Sequence, residues 1–177
     1  MRKLIGRTTL VAALTLAPAL AAAQHSMAAK HEFGVDLGFV YSKPSGGTSI
    51  ITFGTPVDVR VGFVSKGSLM FEPRVSLFYL HTTGFSQHAF NLDLNVLYGK
   101  NQKKGMYFTG GAGINLVGVT GTSGSIISLN GGVGTRSPYE SGAWRLEAFV
   151  RYDLKNTSLG APNTLNIGAR VGLSLWH

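Results

Sequence analysis

The sequence predicts an all-β chain that closes into an eight-stranded antiparallel up-and-down barrel, apolar outside and polar within. Three observations predict it. From residue 31 onward, apolar residues alternate with small or polar ones in eight stretches, the two-residue period of a strand with two unlike faces. The stretches are joined by short segments bearing Gly, Ser, Asn, Lys or Pro, with no helical period between them, so consecutive strands are antiparallel neighbours. The last stretch runs to the final residue. A long strand with an open edge invites aggregation, and pairing with the first strand removes that edge.

The strands follow in order. His31–Tyr41 places Phe33, Val35, Leu37, Phe39 and Tyr41 on one face and Glu32, Gly34, Asp36 and Gly38 on the other. Pro44-Ser45-Gly46-Gly47 marks the first loop. Ile50–Val64 alternates Val57, Val59, Val61 and Phe63 with Asp58, Arg60 and Gly62. Ser68–His81 sets Leu69, Phe71, Val75, Leu77 and Tyr79 against Glu72, Arg74 and Ser76. A loop over Thr82–Gln87 leads to His88–Gly99, where Phe90, Leu92, Leu94, Val96 and Tyr98 oppose Asn91, Asp93 and Asn95. The basic turn Lys100–Lys104 precedes Gly105–Val117, in which Phe108, Ala112, Ile114 and Leu116 oppose Tyr107, Thr109, Gly111, Gly113 and Asn115. After a Gly/Ser/Thr loop, Gly118–Gly124, comes Ser125–Thr135, and then a turn at Ser137–Ser141 with Pro138. Gly142–Leu154 sets Trp144, Leu146, Ala148, Val150 and Tyr152 against Arg145, Glu147, Phe149, Arg151 and Asp153. The eighth strand, Leu165–His177, alternates Leu165, Ile167, Ala169, Val171, Leu173 and Leu175 with Asn166, Gly168, Arg170, Gly172, Ser174 and Trp176. Pro56 and Pro73 fall inside strands and each removes a ladder donor, so a bulge or local distortion is expected at both.

The first 23 residues read as a cleavable export signal. Arg2, Lys3 and Arg7 give a basic start, Leu10–Leu20 is largely apolar, and Ala21-Ala22-Ala23 supplies small residues before Gln24. Residues 24–30 form a short leader, and residues 31–177 the barrel. Without those three basic residues the 16 Lys and Arg fall to 13 against 8 Asp and Glu, a net charge of +5. No later stretch offers 18 apolar residues in a row, so a membrane can be crossed only by strands, each of which reaches the roughly 9–11 residues required. Cys is absent, which excludes disulfides and thiolate chemistry.

Alternation does not say which face is inside; a soluble carrier barrel is greasy within and polar without. The charged residues favour the inverse, a transmembrane barrel. The polar face carries Asp36, Asp58, Glu72, Asp93, Glu147 and Asp153 against Arg60, Arg74, Arg145, Arg151 and Arg170, and no lysine. Arginine offers a planar fork to buried carboxylates, whereas a solvated face would use Lys freely. The lysines after residue 23 (Lys30, Lys43, Lys66, Lys100, Lys103, Lys104 and Lys155) fall at turns, loops and the leader. Aromatic residues of the apolar face gather near strand ends, as interfacial girdles do. An eight-stranded barrel is just wide enough for side chains to fill, so these eleven charges, with Phe78, Leu97 and Phe149, are expected to plug the lumen. A narrow channel for small solutes is the alternative.

Phe71-Glu72-Pro73, Tyr107-Phe108-Thr109-Gly110-Gly111-Ala112-Gly113 and Arg145-Leu146-Glu147-Ala148 resemble segments of the small outer-membrane β-barrel family, the OmpA/OmpX-like "porin family" domain. The resemblance implies an outer-membrane address reached by the Sec pathway, surrounding lipid and lipopolysaccharide, insertion by the barrel-assembly machinery, and a monomer. It implies a structural or surface-interaction role rather than an activity. It also implies a terminal Phe or Trp; here Trp176 is penultimate and His177 last. His81, Ser86 and His88 surround one loop, but lipid A-modifying barrels place an acid beside such residues, and a Ser–His pair needs an orienting third group. No acid is near on that face, so no enzyme is expected. Gly110–Gly113 and Gly131–Gly134 do not open a helix or carry a Lys-Ser/Thr pair, so they are not phosphate loops but sites of close strand packing. No cofactor or metal motif and no nucleic-acid-binding basic face is present.

Overall fold

The computed structural model describes residues 30–53, 58–66, 68–83, 85–119 and 122–177. The signal-like residues 1–23, the leader up to residue 29, and Pro56 lie outside them. The strands are β1 (His31–Pro44), β2 (Ile50–Phe53), β3 (Asp58–Lys66), β4 (Leu69–Thr82), β5 (Phe85–Tyr98), β6 (Gly105–Val119), β7 (Thr122–Tyr139), β8 (Gly142–Asp153) and β9 (Thr164–Trp176). Every neighbouring pair is antiparallel. A 3-10 turn at Thr157–Leu159 sits in the β8–β9 connection, capped by the Asn156 side chain.

Nine segments make eight staves, because β2 and β3 lie in succession along one side of β1. Phe39 pairs with Phe53, and Asp36 with Asp58. Three steps along β1 therefore match five along its partner, and the expected continuous strand Ile50–Val64 is broken by a two-residue register slip. β9 pairs with β1 from Glu32↔Trp176 to Pro44↔Thr164, which closes the ring and satisfies the backbone groups of both terminal strands.

Three expectations about strand ends are corrected. The stretches 82–87 and 118–124 are tight hairpins rather than loops: Thr82 pairs with Phe85 and Val119 with Thr122. β7 also extends into the predicted turn at 137–141 as far as Tyr139, pairing Pro138 with Ala143 and leaving 140–141 as the turn. The reason is common to all three. Once a hairpin is in register, backbone pairing extends through turn-prone residues such as Thr82, Ser123 and Pro138 that tolerate the extended conformation, and local composition gives way to the ladder. Only the connections 45–49 and 154–163 are longer at one end, while the turn 99–104 at the other end exceeds both hairpins. At Pro73 the β3–β4 ladder lacks the pairs between Arg60↔Arg74 and Phe63↔Phe71, yet register is kept. The missing N–H interrupts pairing without a bulge; the one shift in this pair lies at Val64/Lys66.

Burial is inverted relative to a water-soluble core. Leu77, Tyr79 and Phe108 are 69%, 67% and 61% exposed, whereas Arg60 and Glu72 are 0% exposed. The outward face is apolar around the ring, with Leu94, Val96, Ile127, Leu129, Leu146 and Val171 among its exposed side chains. Tyr41, Phe63, Phe71, Tyr79, Phe90, Tyr98, Trp144 and Tyr152 all face outward as the alternation requires; Phe33 is half-buried.

Candidate functional site: the charged lumen

The lumen divides into two halves along the barrel axis. The half nearer Lys30, His177 and the turns 99–104 and 140–141 is closely packed and buried. Glu72 accepts from Arg74 Nε at 2.6 Å and from Arg145 Nη1. Arg74 grips Glu147 through both terminal nitrogens, each at 2.9 Å, the bidentate fork geometry that Lys cannot supply. Arg145 Nη2 also donates to Glu147. Tyr107 Oη donates to Glu147 at 2.8 Å and accepts from Arg145 Nε. Arg60 donates to Asp36 at 2.9 Å, to Ser174 Oγ at 2.8 Å and to Glu32. Arg136 donates to Glu32 at 2.8 Å, and its guanidinium lies 4.6 Å from the Tyr107 ring centroid.

Four carboxylates (Glu32, Asp36, Glu72, Glu147) thus meet four guanidiniums (Arg60, Arg74, Arg136, Arg145), and none of the eight is more than 4% exposed. An apolar cluster of Met70, Leu97, Tyr107 and Trp176 packs beside them. Gln102 folds in from the turn 99–104, donating to the carbonyls of Ser68 at 2.7 Å and Leu97 at 3.3 Å. Lys103 stands 5.6 Å from the Trp176 ring centroid, and partial burial lowers its pKa.

Glycines give this layer its room. A methyl group at Gly34 would lie 2.3 Å from the Arg60 guanidinium carbon, one at Gly172 1.7 Å from Asp36 Oδ1, and one at Gly134 2.2 Å from the Tyr107 hydroxyl. Gly111 and Gly132, from the two glycine-rich stretches, face neighbouring carbonyls so closely that a methyl would lie 2.2 Å from Leu94 O and 2.6 Å from Ala148 O. These stretches run along adjacent strands, with Gly110 opposite Gly131.

The other half, toward the connections 45–49 and 154–163, holds a cavity of about 240 Å³. Asp58, Asp93, Asp153, Arg151 and Arg170 line it, with Asn91, Asn115, Asn166, Ser42, Ser76 and Thr52. Arg151 bridges Asp93 (2.8 and 2.7 Å) and Asp153 (2.9 Å). Arg170 donates to Asp58 at 2.7 Å, lies 3.3 Å from Glu147, and stacks 4.0 Å from the Phe149 ring centroid. It therefore joins the two halves.

All eleven charged residues singled out in the sequence lie in the lumen, in two groups that Arg170 connects. Sequence reasoning missed Glu32, Arg136 and Gln102. Glu32 sits on the polar face at the very start of β1. Arg136 was hidden by the turn signal of Pro138, although extending the alternation of Val133 and Thr135 places it inward. His81 and Ser86 are directly paired along the backbone, as are Tyr79 and His88. No cluster of three or more His, Cys, Asp or Glu side chains suited to a metal occurs among the described residues.

No protein-family model matches the sequence, and no curated relative matches it. Solved structures do match. The chain is similar to Neisserial surface protein A, with 15% identity and a TM-score of 0.54 over 84% of this chain and 97% of that one. It is also similar to Ail, the attachment invasion locus protein of Yersinia pestis, solved with the heparin analogue sucrose octasulfate. There the identity is 10% and the TM-score 0.51, over 85% of this chain and 99% of that one. At these identities the likeness concerns architecture: the chain has the closed eight-stranded antiparallel barrel fold of small outer-membrane proteins.

Proposed function

We propose that this chain is an integral outer-membrane barrel with a structural or surface-contact role, whose lumen is closed to solutes. The carrying observation is the layer of eight buried, mutually paired charges near Glu72 and Arg145, in which Arg74 reaches Glu147 on the opposite wall. A solute would have to break several charge-assisted hydrogen bonds to pass, and each broken pair leaves a charge in a poorly solvating interior. The membrane setting is supported by the exposed apolar side chains contributed by strands all round the ring, a contiguous face of a kind that water-soluble monomers rarely expose. The surface-contact reading draws on the similar structures, one a Neisserial surface protein and the other an attachment invasion locus protein. In this reading residues 1–23 are removed after Sec export, the barrel-assembly machinery inserts a monomer, lipid and lipopolysaccharide surround it, and it catalyses no reaction.

Planar-bilayer recording tests the closed lumen: the purified barrel is expected to give no steady unitary steps. The cavity of about 240 Å³ favours a second reading, a narrow channel, and regular single-channel steps would establish it instead. Outer-membrane fractionation with heat-modifiable gel migration tests the address, and an unchanged lipid A acyl profile on expression tests the absence of enzymatic activity.

A further inference from the structure

The closing seam brings two histidines side by side. His31 N–H donates to the His177 carbonyl at 3.0 Å, and His177 N–H donates to the His31 carbonyl at 2.9 Å. Residues that exchange both backbone bonds stand directly opposite in an antiparallel ladder, with Cα atoms about 5.5 Å apart and side chains on one face. That face is outward. The next pair, Glu32 and Trp176, is buried in the lumen, while His31 and His177 are exposed. Phe63 flanks His31 from β3, edge-on at 5.6 Å between ring centroids. The remaining outward neighbours along the seam, Phe33 and Leu175, are apolar.

We propose that His31 and His177 form a two-imidazole site for a borderline divalent cation of the Zn2+ class, which staples the first strand to the last. Neutral imidazole is the commonest ligand for such ions, and Zn–N bonds are about 2.0–2.1 Å long. Two ligating nitrogens then stand roughly 3–3.5 Å apart, a gap that imidazoles on opposed residues close by rotation between staggered rotamers. Water, or phosphate oxygens of headgroups at the same depth, complete the coordination shell. The site is assembled only when the barrel closes, because its ligands lie at opposite ends of the barrel sequence. Metal therefore binds the folded state in preference and stabilises it by linkage. The inference rests on the register of the seam and stands apart from the question of an open or closed lumen.

The test uses the full folded chain in detergent micelles, titrated with Zn2+ calorimetrically, with thermal unfolding followed in parallel. The variants are His31→Asn and His177→Asn; the three other histidines of the chain supply controls, as His25→Asn, His81→Asn and His88→Asn. One Zn2+ per chain is expected, weakened at least about tenfold in either seam variant, which has lost one of two imidazole ligands, and unchanged in the controls. Zn2+ should raise the unfolding midpoint of the wild type and controls but not of the seam variants. Absence of Zn2+ uptake, affinity unaffected by His31→Asn or His177→Asn, or loss in a control overturns the proposal. Should His177→Asn fail to fold, histidine-ring NMR of the wild type decides. Zn2+ must shift two imidazole spin systems, one of them missing in His31→Asn, and a shift in one or none contradicts the site.

Discussion

The two halves of the lumen share one wall and one cross-section, yet one is filled and the other hollow. The filled half takes three of its four acids as Glu (Glu32, Glu72, Glu147), together with Arg, Tyr107 and Met70; the hollow half takes all three as Asp (Asp58, Asp93, Asp153), beside Asn and Ser. Eight strands fix a diameter that side chains can just fill, so one methylene per acid matters. Glutamate and arginine meet across the axis: Arg74 of β4 reaches Glu147 of β8 on the far wall. The shorter side chains leave a cavity instead. Charge differs as well. Four acids against four arginines make the plug neutral, while three against two leave the cavity lining at −1. In the closed-lumen reading proposed above, side-chain length rather than the presence of charge separates the filled half from the hollow one.

Substitutions can break this comparison, beginning with the largest expected effect. Glu72→Ala removes one of the two carboxylates that Arg74 and Arg145 share, leaving only Glu147 between them in a buried site, and should cost about 3–5 kcal/mol. Urea unfolding in detergent, followed by Trp fluorescence, reads it through Trp176 inside and Trp144 outside. A loss as small as that of a cavity variant would erase the distinction between the halves. On the outer wall, Leu129→Arg places a cation near the middle of β7 on the apolar face, at a cost of about 2–4 kcal/mol in lipid vesicles. A neutral outcome would contradict the membrane setting.

Gly34→Ala tests whether the plug is packed tight. Its methyl meets the Arg60 guanidinium, and overpacking of this kind costs about 1–3 kcal/mol; the same measurement should show that loss with the fold retained. Asp93→Asn is the smallest change. Arg151 keeps Asp153 and lines the cavity, and the amide oxygen still accepts from it, so the stability loss should be about 1 kcal/mol, the size of one hydrogen bond. A loss matching Glu72→Ala would mean the cavity half is as closely packed and buried as the plug.

The alternation made the faces legible, because a strand period of two fixes the side on which Arg145 or Leu146 emerges. It also made the barrel legible, because no helical stretch could accept the apolar residues. It could not give depth or cross-lumen partners. That Arg74 binds Glu147 while Arg151 binds Asp93 depends on strand stagger, which the period does not encode. Strand ends were hard to read for a related reason: the pairing of Pro138 with Ala143 overrode a local turn signal and carried Arg136 into the lumen. The terminal departure, His177 after Trp176, also has a structural reading. Trp176 faces inward and packs with Met70, Leu97 and Tyr107, so the outward place at the end of the closing strand falls to histidine.

Cysteine accessibility tests the division of the lumen most directly. The chain has no native Cys, so single cysteines report cleanly. Asn91 and Asn95 lie four residues apart on the lumen face of β5, Asn91 lining the cavity and Asn95 2% exposed beside Glu72. With a membrane-impermeant charged thiol reagent added to the folded barrel, Asn91→Cys should label readily. Asn95→Cys should stay unlabelled from either end until the barrel is unfolded. Rapid labelling of Asn95→Cys in the folded barrel would show a water path through the charged layer and contradict a closed lumen.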